Sequence, residues 1–480
     1  MNLFVILGLP LLAALISWFS RGRRVAPAAT LVACAIALFL ASAAALQVAA
    51  GGPAIAIPNW VELDGLGALI LLLVAAVATT AALFSWGYIA GERSDRRLRR
   101  YYANYNLFVF AMLLVPVLVE PALVWTAVEL TTVLAVYLVA FDNTHEAVEA
   151  AWKYSVLTIM GGAIALLGFL VLFCATRFGD APFTWAGLLT LAPRVSPPVL
   201  ETAFVLILVG FGATAGLVPL HTWLPDAHSQ APSPICALLS GVKTTVALYV
   251  ILRLVPVLNA SGRIDVDRWA ILAGLISAGV AAFLILQVTD YKRLFALSTV
   301  EHMGIILTAA GLGGAAAHYG AVYQLLNHAL TKSFCFLAAG TVLLAVDTHQ
   351  IASVRGLIRT SPAAGVALLL GGLAISGAPP LAVFLSEFSI FRAGIAQHHY
   401  IATGLLAAFV VLAFFGILYH LNRMVFGCPE PARAGALPVK LPTTCTLALA
   451  LAAIPVVIFG MYIPPPLHAL LQMAAAGLSR

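Results

Sequence analysis

Fourteen stretches of about twenty apolar residues, separated by short polar gaps, follow one another along the whole chain. They cover approximately residues 2–20, 27–49, 65–88, 105–119, 121–141, 149–174, 201–222, 233–257, 268–288, 294–312, 319–345, 362–394, 401–425 and 443–463. A helix needs roughly 20 such residues to cross the hydrocarbon core of a bilayer. Backbone in lipid must satisfy its own hydrogen bonds, which restricts spanning structure to helices and closed barrels. The pattern therefore predicts an all-α integral membrane protein of about fourteen transmembrane helices.

Composition excludes the alternatives. Of 480 residues, 62% are hydrophobic and 9% charged, against roughly 25% charged in a soluble domain. The formal charge of +6 and pI near 9.1 could suggest nucleic acid, but no segment is large enough to form a basic soluble domain. The first apolar run precedes Arg21, Arg23 and Arg24, so it reads as a retained span and not as a cleaved signal peptide. Six scattered cysteines (Cys34, Cys174, Cys236, Cys335, Cys428, Cys445) form no C-x-x-C pair. No iron–sulfur cluster, disulfide framework, metal or other cofactor is expected.

Basic residues orient the spans. Clusters follow the first span (Arg21, Arg23, Arg24), the third (Arg93, Arg96, Arg97, Arg99, Arg100), the ninth (Lys292, Arg293), the eleventh (Arg355, Arg359) and the thirteenth (Arg423, Arg433, Lys440). Other connections hold isolated arginines such as Arg177, Arg194 and Arg263. The positive-inside rule then places the odd-numbered connections in the cytoplasm and both termini outside.

Two spans look broken. The seventh contains Gly210-Phe-Gly-Ala-Thr-Ala-Gly216 and then Pro219; the twelfth contains Gly377-Ala-Pro379-Pro380. Proline removes a helical N–H and clashes one turn back. Paired interrupted spans point to internal repeats; kinked packing helices are the plainer alternative. A spacing of five spans predicts two inverted five-helix repeats, spans 4–8 and 9–13. The division expected is 1–104 for spans 1–3, 105–257 and 268–425 for the repeats, and 426–480 for span 14.

Several ionisable residues fall inside these spans: Glu129, Lys153, Lys243, His302 beside Glu301, His328, Lys332 and Glu387. A charge at mid-bilayer costs at least about 2.5–3.5 kcal/mol on insertion scales. Burial as a rule moves lysine and glutamate pKa values towards neutrality, where both exchange protons. An alternation of Glu, Lys and His linked by water is a proton relay. The bland readings differ by residue. Lys153 is near enough to the interface to snorkel, His302 reads equally as a packing histidine, and Glu387 could pair with Arg392. His221 and His228 read as capping or loop contacts.

The stretch Pro219-Leu-His-Thr-Trp-Leu-Pro-Asp-Ala-His-Ser-Gln-Ala-Pro-Ser-Pro234 resembles a signature of antiporter-like membrane subunits. Such subunits occur in respiratory complex I, Mrp-type cation/proton antiporters and membrane-bound [NiFe] hydrogenases. Leu63-Asp-Gly-Leu66, Asp290-Tyr-Lys-Arg-Leu-Phe-Ala-Leu-Ser-Thr299 and Asn327-His-Ala-Leu-Thr-Lys332 are similar too. Ser298-Thr-Val-Glu-His-Met-Gly304 and Trp152-Lys-Tyr154 look most like the F-type subunit of hydrogenase-4 and formate hydrogenlyase complexes. The chain ends soon after span 14, which implies no long lateral helix.

The resemblance implies fourteen helices with inverted five-helix repeats. It puts the span-5 glutamate on Glu129, the span-11 lysine and histidine on Lys332 and His328, and the acidic span-12 residue on Glu387. Where the family usually has a broken-helix lysine, this chain has Thr214, which cannot carry a proton; Lys243 is the candidate to take over. The expected function is a proton-translocating subunit in the cytoplasmic membrane. Its partners would be membrane and peripheral subunits of a hydrogenase- or complex I-like assembly, which carry the redox chemistry. Alternatives are a subunit of a multisubunit Na⁺/H⁺ antiporter, a non-pumping scaffold, and a membrane partner in inorganic-carbon uptake.

Overall fold

The computed structural model describes residues 3–177, 179–262, 266–428 and 440–479; Arg263 and Arg433 lie outside them. The chain opens with α1 (Leu3–Phe19) and α2 (Val25–Gly51), then an antiparallel hairpin of β1 (Ala54–Ile57) and β2 (Val61–Leu63). Next come α3 (Gly65–Tyr88), α4 (Asp95–Leu114), α5 (Pro121–Val139), α6 (His145–Thr176), a short α7 (Trp185–Leu191) and α8 (Pro197–Ala215). Then follow α9 (Trp223–Gln230) and α10 (Ser233–Leu238). A π-helical turn at Leu239–Lys243 carries α10 into α11 (Thr244–Asn259). The rest is α12 (Val266–Ile285), α13 (Tyr291–Gly311), α14 (Gly314–Val346), α15 (Leu357–Thr360), α16 (Pro362–Ile375), α17 (Ala382–Ala396), α18 (Tyr400–Phe426), α19 (Thr443–Ile458) and α20 (Pro465–Leu478).

Among the described residues, ten helices are long and apolar enough to cross a membrane, counting α10 to α11 as one; α1, α16 and α19 are shorter apolar helices. The chain is thus a multi-pass membrane protein. The hairpin, α7 and the amphipathic α20 were not anticipated from the apolar pattern, since each is too short or too polar to read as a span.

Local chemistry sets the helix starts. Asp64, Ser94, Glu120, Thr144 and Asp290 each accept a backbone N–H from the first turn of α3, α4, α5, α6 and α13. Two of the motif acids have a second task. Asp64 accepts a forked bond from Arg253 of α11, with Nη2 to Oδ1 at 2.6 Å, which ties α3 to α11 across the bundle. Asp290 accepts from Ser229 Oγ at 2.5 Å, while Lys292 Nζ donates to the carbonyls of Ser229 (2.9 Å) and Ala231 (2.6 Å). The start of α13 thereby clamps the α9–α10 connection.

The bundle is apolar outside and polar within. α2, α6 and α18 turn most of their surface outward, presenting residues such as Phe39, Leu170 and Phe415. The apolar lengths of α13 and the α10–α11 helix are enclosed. These enclosed helices and α14 carry Lys243, Glu301, His302, His328 and Lys332, all buried. The breaks fall where expected, but they are loops and not kinks. α8 stops at Ala215 with Gly216 at φ 84°, and Pro219 lies in the loop beyond. α16 stops at Ile375 with Gly377 at φ 74°, and Pro379 and Pro380 lie in the loop before α17.

Candidate functional site

The first buried cluster surrounds Lys243, the last residue of the π-helical turn. Its ammonium lies 4.5 Å from the ring centre of Tyr154 (α6) and 5.1 Å from that of Trp223 (α9), and makes no hydrogen bond among the described residues. The two rings meet edge to face at 4.9 Å. Trp223 Nε1 donates to the Ala213 carbonyl at 2.8 Å, in the last turn of α8, which also accepts the Gly216 N–H. Glu129 projects from α5 over Gly162 of α6, where a Cβ would occupy the space of its carboxylate. Glu129 and Lys243 act on each other electrostatically. Among the described residues, Glu129 Oε1 and Lys243 Nζ are buried without a hydrogen-bond partner, as is the Thr214 hydroxyl at the end of α8, while the buried Thr132 and Tyr154 hydroxyls lie beside each other. Each such atom costs about 1–3 kcal/mol unless it is hydrated.

The second cluster surrounds Lys332 on α14. Its ammonium donates to the Phe295 carbonyl at 2.7 Å and to Ser298 Oγ, both on α13. One turn earlier His328 sits 5.3 Å, ring to ring, from His302 of α13. Gln324 Nε2 is 2.8 Å from His302 Nδ1, and His302 Nε2 is 2.9 Å from the Ile375 carbonyl. The Gln324 amide donates to Nδ1, so Nε2 carries the proton and donates to the last carbonyl of α16. Gln324 Oε1 in turn accepts from Ser386 Oγ of α17. The next residue, Glu387, lies over Gly377 at the break, again where a Cβ would collide with its carboxylate. Glu301 is buried between them and feels the charges of both Glu387 and Lys332.

The π-helical turn joins the two clusters. Its Ser240 bonds Thr299 of α13 at 2.6 Å, and the Ser240 carbonyl is 3.3 Å from His328 Nε2. Three residues on, Lys243 belongs to the first cluster. His228 of α9 lies in the same region, packed 5.0 Å from the ring of Phe336, with Nδ1 2.8 Å from the Leu224 carbonyl and Nε2 without a partner among the described residues. The charges of Lys292, Lys332 and Lys243 reach it. It is therefore more than a loop contact.

Other candidates lie apart. Lys153 is half exposed and pairs with Glu149 at 2.8 Å and Asp226 at 3.1 Å, so it stands outside the buried line. Asp226 also pairs with Arg293 at 2.7 Å, closing a surface network between α6, α9 and α13. Arg392 is exposed and, among the described residues, forms no ion pair with Glu387. His221 stays in the α8–α9 loop. Sequence reading named Glu301 only as the neighbour of His302, quoted Ser298, Tyr154 and Trp223 only within motifs, and passed over Gln324. Glu301 was the most findable: it is a second carboxylate inside an apolar run, obscured by its neighbour His302.

Known proteins share this architecture. Residues 121–416 match the family described as NADH:quinone oxidoreductase/Mrp antiporter, TM. The chain is 36% identical over 412 residues to the hydrogenase-4 component F homolog of Methylacidiphilum infernorum (isolate V4), covering 84% of this chain and 85% of that one. It is 33% identical over 343 residues to hydrogenase-4 component B of Escherichia coli (strain K12), covering 68% of this chain but only 50% of that protein. Among solved structures, it resembles a chain of the membrane-bound sulfane sulfur reductase, an archaeal respiratory membrane complex. The TM-score is 0.88 at 25% identity, covering 99% of this chain and 97% of that one. It also shares the fold of a chain of the Mrp complex from Dietzia sp. DQ12-45-1b, with TM-score 0.87 at 20% identity and the same coverage.

Proposed function

The chain belongs to the NADH:quinone oxidoreductase/Mrp antiporter family of membrane subunits, and from that premise we propose that it moves protons for an energy-converting redox complex of membrane-bound [NiFe] hydrogenase type. Electron transfer takes place in partner subunits; this chain supplies the membrane pathway. Its relatives named as hydrogenase-4 components favour this assignment.

The observation that carries the reading is the π-helical turn Leu239–Lys243, whose Ser240 and Lys243 belong to different buried ionisable clusters. The proposed line runs Glu129, Lys243, His228, His328 and Lys332, then Glu301 and Glu387, with His302 fixing the helices beside it. Unpartnered polar atoms around Lys243 and His228 are places for water to bridge the gaps. In this line Lys243 does the work that Thr214 cannot. Lys153 serves as a surface strap holding α6 to α9.

The proposed topology has fourteen crossings: the ten long apolar helices, the three shorter ones, and α4, whose charged first turns lie at the surface. α16 continues through its break into α17. Spans 4–8 (105–257) and 9–13 (268–425) form inverted repeats, with 1–104 and 426–480 flanking them. Each repeat has a helix that ends at a positive-φ glycine (Gly216, Gly377) and a carboxylate packed against a glycine (Glu129 on Gly162, Glu387 on Gly377). The protein lies in the cytoplasmic membrane with both termini outside.

Lys332→Ala in the assembled complex tests the reading. Coupled proton uptake into inverted vesicles should be abolished while the complex still assembles. Undiminished uptake would remove the relay. A second reading, a Na⁺/H⁺ antiporter subunit, draws on the likeness to Na⁺/H⁺ antiporter subunit A1 of Staphylococcus aureus. Sodium-dependent uptake without any redox substrate would favour it, as would neighbouring genes for antiporter subunits.

A further inference from the structure

At the surface where α1 ends and α4 begins, Arg21, Arg96, Arg99 and Arg100 line one open cavity of about 380 Å³, with Trp18 and Phe19 forming its apolar wall. Both aromatic residues are more than half exposed, in the manner of rings that mark a membrane interface. Neighbouring arginines are neutralised: Arg23 pairs with Asp95 at 2.8 Å and Arg97 with Glu92 at 3.1 Å. Among the described residues the four cavity arginines have no carboxylate partner. Arg99 donates to the Ser20 carbonyl at 3.1 Å, which pins α4 to the end of α1.

The arrangement works against itself. α4 starts at Asp95, so Arg96, Arg97, Arg99 and Arg100 stand in its first two turns, at the positive end of its dipole. Orienting the protein in the membrane requires positive charge in a loop; it does not require several arginines converging on one hollow. An anion in the hollow would relieve both the mutual repulsion and the clash with the dipole. An anion with acyl chains attached would also cover Trp18 and Phe19. We propose that this cavity binds the phosphodiester headgroup of an anionic phospholipid, with its chains along α1. Arg21, Arg96 and Arg100 hold the phosphate, and Arg99 keeps the two helices in register.

The test uses the full chain in a nonionic detergent, with lipid binding followed by native mass spectrometry. The probes are dioleoylphosphatidylglycerol, dioleoylphosphatidylcholine and inorganic phosphate. Each interfacial arginine is worth roughly fivefold in affinity, so Arg21→Gln/Arg96→Gln/Arg100→Gln should weaken phosphatidylglycerol binding about a hundredfold. Arg21→Lys/Arg96→Lys/Arg100→Lys should retain binding. A control of equal charge, Arg24→Gln/Arg93→Gln/Lys440→Gln, should bind like the unaltered chain. Equal losses in both Gln triples, or equal binding of the two lipids, would overturn the proposal. Displacement of the lipid by an equal concentration of inorganic phosphate would reassign the cavity to free anions. Protection of these arginines from phenylglyoxal in a delipidated complex would give the cavity to a partner subunit.

Discussion

The two central lysines are buried alike but supported differently, and this sets opposite expectations for their removal. Lys332 has two hydrogen-bond acceptors, the Phe295 carbonyl and Ser298 Oγ. Lys332→Met removes both charge-assisted bonds, while the Phe295 carbonyl keeps Ser298 Oγ and Thr299 Oγ1 as donors, so stability should fall by about 1–3 kcal/mol. Lys243 makes no hydrogen bond among the described residues; it has the faces of Tyr154 and Trp223 and the charge of Glu129. Methionine packs well against such rings, and Lys243→Met removes a desolvated ammonium. Its thermal stability should be unchanged or higher, while proton movement is lost in both variants. Thermal unfolding of the two proteins side by side checks this; a Lys243→Met protein less stable than Lys332→Met would refute it. Glu129, Lys243 and Lys332 were legible in the sequence because a charge in an apolar run has no bland reason to be there. His228 was not, because its loop-like surroundings gave no sign that α9 folds back into the core.

Among elements, the π-helical turn was invisible in the sequence. Leu239-Ser-Gly-Val-Lys243 carries no mark that separates it from ordinary helix, and only packing reveals the extra residue. The breaks in α8 and α16 were legible because glycine and proline announce themselves; that they are loops, with helices restarting after them, was not. The turn is fixed by contact with α14. A Cβ on Gly241 would stand 2.8 Å from the Ala329 carbonyl, a backbone atom that cannot step aside alone. Gly241→Ala should therefore push the turn from α14, lengthen the approach of His328 to the Ser240 carbonyl, and cost about 1–3 kcal/mol. Unaltered thermal unfolding together with unaltered proton uptake would mean that the turn is not held against α14.

At the scale of the whole molecule, the apolar runs made membrane insertion and helical fold plain, because lipid imposes the same demand on every span. What they could not reveal is how the interior is wired, since that depends on which helices are enclosed. Glu129 and Glu387 stand at opposite ends of the proposed line, with the π-helical turn between them. Two wirings are compatible with two clusters. If they are stages of one path, a proton must pass both, and Glu129→Gln or Glu387→Gln alone should take coupled uptake to background. If each cluster is its own channel, either single variant leaves the other's share and only the double variant is silent. The contacts of Ser240 with Thr299 and His328, three residues from Lys243, argue for one path. Proton uptake by the two single variants and the double variant, in complexes matched for assembly, decides between them. Partial uptake in both single variants would refute the one-path wiring and leave two parallel channels.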